Sequence, residues 1–342
     1  MDGRRMALES AEPRRRSAIL LVTSAAPASS CRYFARVFYI GYRMTPQHPM
    51  SRDWIRFLFY KGPSFVGTDA SFEDADYAVF GVPFDATASF RPGSRFAPLS
   101  LRIMSEYLEL PAEKSIRICD LGDLHPTVSV DVMLRRVGEA VERIVEAGKI
   151  PVILGGEHTL TLGSIPRLGG IGGLVIFDAH LDMRDEFMDT RINHTTWLRR
   201  LLEEKRMEHV IVVGARAYTE EEFAVADDMG VQLVTSSEIF LDFRGAVKKL
   251  DALTSGLKNI YLSIDVDVLD PGYAPGVSNP EPGGIAPIHL YELIKIVAAR
   301  GLMAMDIVEV NPLFDNWSAA ACAIYAAYYA MLSSTTSSSA SR

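Results

Sequence analysis

Apolar and β-branched residues occur in eight short runs at regular intervals along the chain. Runs of this length and composition predict buried strands. They cover residues 77–81, 115–119, 150–154, 173–177, 209–214, 231–235, 259–264 and 303–308. Segments between several of them repeat apolar residues with helical spacing, namely 130–147, 197–204, 220–229, 243–253 and 287–300. Strands that alternate with helices predict a mostly parallel sheet covered on both faces.

Polar residues cluster at one end of the predicted strands. Glu157 and His158 follow the third strand, residues 178–182 (Asp-Ala-His-Leu-Asp) end the fourth, Arg216 follows the fifth, residues 265–267 (Asp-Val-Asp) end the seventh, and Glu309 ends the eighth. Ligands of parallel sheets bind beyond the carboxyl ends of the strands. Chance would not favour the same end so often, and we predict one composite site at this edge.

Acids and a histidine alternate in two of these segments. They are Asp178, His180 and Asp182 in the first, and Asp265 and Asp267 in the second. Alternate residues of an extended chain point to the same side, so each set can converge. Four carboxylates in one place repel one another unless cations lie among them, and oxygen-rich ligands with some imidazole suit Mn²⁺ better than a structural Zn²⁺. An isolated Asp-x-Asp usually caps a turn. Both segments together with His158 favour a two-metal hydrolase.

Composition and charge limit the possible partners. The chain has 342 residues, 48% of them hydrophobic, which is enough for one large core or two modest ones. Its formal net charge of −8 argues against nucleic-acid binding and is compatible with a small cationic substrate. Cys31, Cys119 and Cys322 form no disulfide pattern, which suits the cytoplasm.

The two ends of the chain differ from the rest. Residues 1–50 contain an arginine run and a short apolar run, which predict a disordered or spurious extension, or otherwise a targeting segment. The apolar run is shorter than the roughly 20 residues that span a bilayer, so no membrane association is predicted. Residues 333–342 are rich in Ser and Thr and predict a disordered tail. The catalytic domain is therefore expected at residues 51–332, ending in a packed helix from residue 318.

Several segments resemble the signatures of the ureohydrolases, the arginase and agmatinase family. They are residues 155–159 (Gly-Gly-Glu-His-Thr), 178–182, 193–196 (Asn-His-Thr-Thr) and 263–271 (Ser-Ile-Asp-Val-Asp-Val-Leu-Asp-Pro), with further matches at 81–85, 91–96, 274–276 and 280–284. The resemblance covers residues 75–332 and follows the family's order. It implies a three-layer α/β/α fold around an eight-stranded parallel sheet, shared by arginases and deacetylases, and assembly into trimers or hexamers.

The resemblance also implies a role for each site residue. His158, Asp178, Asp182 and Asp265 would bind one Mn²⁺, and Asp178, His180, Asp265 and Asp267 the other, so that Asp178 and Asp265 bridge the two ions of each subunit. A hydroxide shared by ions about 3.5–4 Å apart would attack the guanidinium carbon. Glu309 would hold the guanidinium nitrogens, Asp267 would help to protonate the departing amine, and His194 would shuttle protons. The simpler alternatives are that His194 is a solvated loop residue and that Glu309 is an acid at the boundary of a helix or loop.

The choice of substrate depends on the loops around this site. Arginases of this family carry acids after the Gly-x-Arg that follows the fifth strand, whereas here Ala217, Tyr218 and Thr219 follow. The loop 183–193 lacks the Ser- and Thr-rich character that holds a carboxylate in arginases, which favours agmatine, hydrolysed to putrescine and urea. Residues 277–279 (Val-Ser-Asn) depart from the usual agmatinase pattern, as does Glu157. These departures leave open aminopropylagmatine, guanidinobutyrate, guanidine and arginine.

Two other classes of protein remain possible. A related deacetylase would need one Zn²⁺, and the complete second set of ligands argues against it. A non-catalytic homologue would be expected to lack a ligand or Glu309, and none is missing.

Overall fold

The computed structural model describes residues 53–60, 64–65, 70–107, 109, 116–204 and 207–338. The predicted extension at residues 1–50 lies outside these ranges. The last helix continues to Ser338, so the predicted boundary at residue 332 falls inside a helix, and residues 339–342 lie outside the described part. The division of the chain into three segments stays a prediction.

The centre of the fold is a sheet in which nine strands are described. They are β1 Phe59–Tyr60, β2 Tyr77–Gly81, β3 Ile118–Leu124, β4 Ile150–Leu154, β5 Gly173–Phe177, β6 Val210–Val213, β7 Gln232–Val234, β8 Ile260–Asp265 and β9 Leu302–Val308. Their spatial order is β1-β3-β2-β4-β9-β8-β5-β6-β7. Strands β2 to β9 pair in parallel, and β1 pairs antiparallel with β3.

Ten α-helices are described around this sheet. They are α1 Asp53–Leu58, α2 Ala97–Ser105, α3 Val130–Glu146, α4 Thr161–Ser164, α5 Trp197–Glu204, α6 Glu220–Asp228, α7 Ser236–Leu241, α8 Phe243–Leu253, α9 Pro287–Ala298 and α10 Ser318–Ser338. The five predicted helices correspond to α3, α5, α6, α8 and α9. Helix α10 matches the packed terminal helix that was expected from residue 318.

Alternating side chains of the strands build a separate core on each face of the sheet. In β4, Val152 and Leu154 pack with apolar residues of α2, α8, α9 and α10. Ile153 points to the opposite face and packs with residues of α3, α4 and α5. Strands covered on both faces must be apolar throughout, which explains the unbroken apolar runs in the sequence. The predicted three-layer α/β/α fold is confirmed.

Two strands differ from the prediction. Strand β3 begins at Ile118 and continues to Leu124, beyond the predicted end at residue 119. Its polar residues Asp120 and Asp123 are tolerated because the buried guanidinium of Arg102 binds both carboxylates. Such pairing over a distance is invisible in the local pattern. Strand β1 has two residues, too few for any pattern to predict. No helix in the described ranges is long and apolar enough to cross a membrane.

Candidate metal centre

Four neighbouring strands in the middle of the sheet carry the predicted site. In the order β4-β9-β8-β5, their carboxyl ends lead to His158, Glu309, Asp265 and Asp178, all of which are buried. Side chains that are far apart in sequence therefore meet at one edge, as the polar residues predicted.

A close backbone approach places His158. After β4 the chain passes so near to Phe84 that a Cβ on Gly156 would lie 1.8 Å from the Phe84 carbonyl oxygen. Only glycine fits at this distance. The next residue donates its backbone N–H to the same oxygen, and the Gly156 carbonyl accepts the N–H of Glu309 at 2.8 Å. Gly156 thus brings the segment after β4 against the end of β9.

Three carboxylates surround the Nδ1 atom of His158. This atom lies 3.1 Å from Asp178 Oδ2, 3.3 Å from Asp182 Oδ2 and 3.2 Å from Asp265 Oδ2. Asp182 adopts a left-handed backbone conformation, with φ of 52°. Non-glycine residues rarely adopt it, and such strain is often found at functional sites.

The contacts of the other ring nitrogen, Nε2, show which nitrogen of His158 carries the hydrogen. Nε2 lies 2.9 Å from Ser263 Oγ, and the Ser263 hydroxyl donates to Asp306 Oδ1 at 2.6 Å. Since that hydroxyl has one hydrogen, it must accept the N–H of His158 Nε2. Nδ1 then presents a lone pair to three carboxylates, and it has no hydrogen-bond partner among the described residues. A cation bound by this nitrogen and the carboxylate oxygens would satisfy all of them.

His180 is the centre of a second cluster. Its Nδ1 lies 3.0 Å from Asp267 Oδ2 and 3.5 Å from Asp178 Oδ1. Asp178 therefore belongs to both clusters, with one oxygen directed to each. Asp265 uses Oδ2 in the first cluster, and its Oδ1 accepts the backbone N–H of Asp267 at 2.9 Å. The structure thus brings all six predicted ligands together. The bridging role of Asp265 and the assignment of ligands to ions stay predictions.

The electrostatics of this site favour added positive charge. Burial and the charges of Asp267 and Asp178 raise the pKa of Asp265 well above its usual value. Burial also raises the pKa of Asp182 to about 6. Although burial opposes it, a proton on His158 Nδ1 would be stabilised by the three surrounding carboxylates, and they raise the pKa of this histidine well above its usual value. The cluster takes up protons when nothing else neutralises it, and divalent cations compete for the same atoms.

Outer contacts that the sequence did not predict hold these ligands in place. The indole N–H of Trp197 donates to Asp182 Oδ2 at 2.7 Å, and its ring lies against His158. Asp306 accepts hydroxyl groups from Tyr261 and Thr161 as well as from Ser263. The one available signal was an acid, Asp306, inside an otherwise apolar strand. Partners of this kind orient metal ligands and tune their basicity.

Glu309 lies beside the first cluster and has an uncommitted oxygen. Its φ is 63°, its Oε1 accepts the backbone N–H of His158 at 2.8 Å, and within the described part of the chain its buried Oε2 has no hydrogen-bond partner. Burial raises its pKa to about 7. His194 lies next to it, with Nδ1 3.6 Å from Glu309 Oε1. The predicted neighbourhood of these two residues and the metal ligands is therefore present.

Arg216 serves the structure of the loops. Its guanidinium donates to the backbone carbonyls of Asp267 at 2.8 Å, Glu281 at 2.7 Å and Val268 at 3.1 Å. These bonds fix the segment that follows β8. Arg216 is one of the polar residues predicted at this edge of the sheet, and its side chain binds backbone carbonyl groups.

This fold and centre define a class, the metal-dependent hydrolases with a three-layer α/β/α architecture. Residues 75–333 match the arginase family. The chain belongs to the arginase family, the ureohydrolases. The resemblance of its motifs to this family is confirmed.

Individual relatives differ in what they act on. The chain is 32% identical to an agmatinase of Bacillus anthracis, over 75% of this chain and 91% of the relative. It is 34% identical to a mitochondrial guanidino acid hydrolase of Homo sapiens, over 71% and 73%. The agmatine ureohydrolase structure from Thermoplasma volcanium matches with a TM-score of 0.76 and 31% identity, over 83% of this chain and 98% of that chain.

Proposed function

We propose that this protein hydrolyses the terminal guanidinium of a small guanidino compound, namely agmatine, and releases putrescine and urea. The observation that carries the proposal is the pair of clusters that share Asp178, with the free oxygen of Glu309 beside them. A cationic guanidinium needs a buried carboxylate, and a weakly electrophilic carbon needs an activated water. In this one site, Glu309 can supply the carboxylate, and the two clusters can supply the metal ligands that activate a water.

The donor set fits two Mn²⁺ ions per subunit. His158, Asp178, Asp182 and Asp265 would hold one ion, and Asp178, His180, Asp265 and Asp267 the other. Carboxylates with some imidazole suit this metal. When bound, the ions supply a water acidic enough to act as a nucleophile near neutral pH.

The protein's own residues would orient the substrate and move protons. Glu309 holds the guanidinium nitrogens by charge-assisted hydrogen bonds. Water adds to the guanidinium carbon and the bond from that carbon to the alkyl nitrogen breaks. Both hydrogens of the water end on the departing amine, which leaves as an ammonium ion. We assign this transfer to Asp267, and its membership of the second cluster supports the assignment.

Agmatine is the preferred substrate because the acids that would recognise an α-ammonium group are missing. Ala217, Tyr218 and Thr219 follow Arg216, and Thr219 caps helix α6 through its bond with Glu222. A relative named agmatinase shares 32% identity with the chain. Trimeric or hexameric assembly and a cytoplasmic location are part of the same proposal.

Urea release is the direct test. Metal-stripped protein is loaded with Mn²⁺ and given agmatine, guanidinobutyrate, aminopropylagmatine, arginine or guanidine. We expect urea from agmatine at the highest kcat/KM and no urea before metal is added. If no guanidino compound yields urea with Mn²⁺ or any other divalent ion, the proposed function is wrong.

One observation favours a second candidate, hydrolysis of a guanidino acid. Arg184 lies two residues beyond Asp182, and its backbone N–H donates to the carbonyl of Thr195, next to His194. Its side chain is 38% exposed, pairs with Glu222 at 3.7 Å and lies over the ring of Phe187. Arg184 is thus a partly exposed cation on the segment that follows Asp182, which is the kind of residue that a carboxylate-bearing substrate would need, and a relative named guanidino acid hydrolase shares 34% identity with the chain.

The change Arg184→Gln separates the two candidates. If Arg184 binds a substrate carboxylate, kcat/KM for guanidinobutyrate should fall about 10- to 100-fold, since a charge-assisted hydrogen bond contributes roughly 1.5–3 kcal/mol. The value for agmatine should stay the same or rise, because a cation near its ammonium group is lost. Arg191→Gln is the matched control, because Arg191 is 60% exposed on the same loop and pairs with Asp185. Equal changes for both substrates would remove Arg184 from substrate selection.

A further inference from the structure

Glu157 is a buried acid next to a residue of the first cluster, yet its side chain points away from that cluster. Its backbone is extended, with φ of −77° and ψ of 160°. Neighbouring side chains of an extended chain point to opposite sides. His158 faces the three carboxylates of the first cluster, and Glu157 faces the segment 87–89. A carboxylate that is fully buried needs hydrogen-bond donors of its own.

Three donors hold the carboxylate of Glu157. The backbone N–H of Thr87 donates to Oε2 at 2.8 Å, and the Thr87 hydroxyl donates to Oε1. The hydroxyl of Thr159 also donates to Oε1, at 2.8 Å. Thr87 thus uses both its backbone and its side chain on the same carboxylate. Glu157 therefore fixes the position of Thr87.

The segment 87–89 in turn holds His194. The single hydroxyl hydrogen of Thr87 points to Glu157, and its oxygen accepts the backbone N–H of His194 at 3.2 Å. Two residues further on, the backbone N–H of Ser89 donates to His194 Nε2 at 3.2 Å, and the Ser89 hydroxyl lies 2.9 Å from the same nitrogen. One short segment therefore contacts both the backbone and the ring of His194.

We propose that Glu157 is a positioning residue for His194 and that Thr87 transmits its effect. This inference rests on the proposed function and on the proton transfer that the family resemblance implies for His194. Glu157 acts through its hydrogen bonds, which hold the segment 87–89 in place. A shift of about 1 Å in a group that takes part in the chemistry can cost roughly 100-fold in rate, so such an anchor affects turnover.

Two substitutions of Thr87 test the link to His194. Thr87→Val keeps the volume and removes the hydroxyl, and it should lower kcat by about 10- to 100-fold. Thr87→Ser keeps the hydroxyl and should stay within about threefold of the wild type. KM should change little in either variant, because Glu309 still holds the guanidinium. Equal losses in kcat for both variants would overturn the proposal, since the hydroxyl would then not be the link.

Glu157→Gln tests the anchor itself. Glutamine has the same shape but one acceptor oxygen, so either the N–H of Thr87 or both hydroxyl groups lose their acceptor. We expect kcat to fall by about 3- to 10-fold, the value of one hydrogen bond. Thr159→Val is the matched control, because Thr159 donates to the same carboxylate from outside the segment 87–89. It should lower kcat less than Glu157→Gln, and an equal or greater loss would contradict transmission through Thr87.

A double-mutant cycle shows whether the effect passes through His194. His194→Ala should lower kcat by about 100-fold or more, the usual contribution of a group that transfers protons. Thr87→Val added to it should lower kcat by less than about twofold, because the ring that the segment positions is gone. A merely structural role would lower kcat further in this background as well, and such additive losses would overturn the proposal.

Hydrogen exchange gives a readout that needs no turnover. Mass spectrometry of the peptides that contain residues 87 and 194 should show exchange about 3- to 10-fold faster in Glu157→Gln than in the wild type. Thr87→Ser should match the wild type. Unchanged exchange in the peptide of His194 in Glu157→Gln would contradict the positioning role, whether or not the wild type releases urea. An absence of urea from the wild type would contradict the proposed function alone.

Discussion

Asp267→Asn should reduce kcat by about 100- to 10,000-fold, the usual contribution of a positioned acid or base, while the protein still folds. Asp267 Oδ1 accepts the backbone N–H of Ala179 at 3.1 Å, and Oδ2 lies 3.0 Å from His180 Nδ1. Asparagine can keep the first contact and the volume of the side chain. It loses the charge that attracts the second cation and the oxygen that takes up protons.

Steady-state kinetics, metal content and circular dichroism together test this prediction. The variant should retain the spectrum and thermal transition of the folded protein and should bind less than two equivalents of Mn²⁺. Asp228→Asn is a suitable control, because Asp228 is exposed on α6. Wild-type turnover in Asp267→Asn would remove Asp267 from the mechanism.

Glu309→Gln should lower kcat/KM by about 30-fold or more, since truncating one partner of a buried charge pair costs roughly 2–5 kcal/mol. Glutamine can still accept the backbone N–H of His158, which Glu309 Oε1 accepts at 2.8 Å. It presents no negative charge to a guanidinium. Most of the loss should therefore appear in KM and in the affinity for guanidinium compounds.

The same residue predicts a dependence on pH. Burial raises the pKa of Glu309 to about 7, so the carboxyl group holds its proton below that pH. Only the ionised form binds a guanidinium, and kcat/KM should rise as the pH increases through about 7. Measurements of kcat/KM between pH 5.5 and 8.5 should show this rise in the wild type and no such rise in Glu309→Gln. An identical rise in both proteins would assign it to another group.

The strands and the metal ligands could be predicted because each has a local signal. Runs buried on both faces are apolar throughout, and acids at alternate positions break that pattern at the end of β5 and β8. The outer contacts have no such signal. Trp197 and Ser263 look like ordinary core residues until the fold places them against Asp182 and His158.

The residues near His194 and Asp182 were the hardest to predict, for a similar reason. Ser89 donates its backbone N–H to His194 Nε2, and its hydroxyl lies 2.9 Å from the same nitrogen, but a single serine in a loop gives no local signal of such contacts. Arg184 was one cation in a loop with several charges, and only its position beyond Asp182 sets it apart. The extension of β3 required Arg102, which lies on another element, to neutralise Asp120 and Asp123.

The order of the four central strands also has a consequence for folding. His158 and Glu309 are separated by 151 positions, and their strands are neighbours. Contacts of such high sequence separation form late and slowly, because loop closure precedes any gain. A partly folded chain therefore lacks the centre, and cations that bind there select the complete sheet and stabilise the native state by mass action. The supply of metal would then affect how long the folded protein persists as well as how fast it turns over substrate.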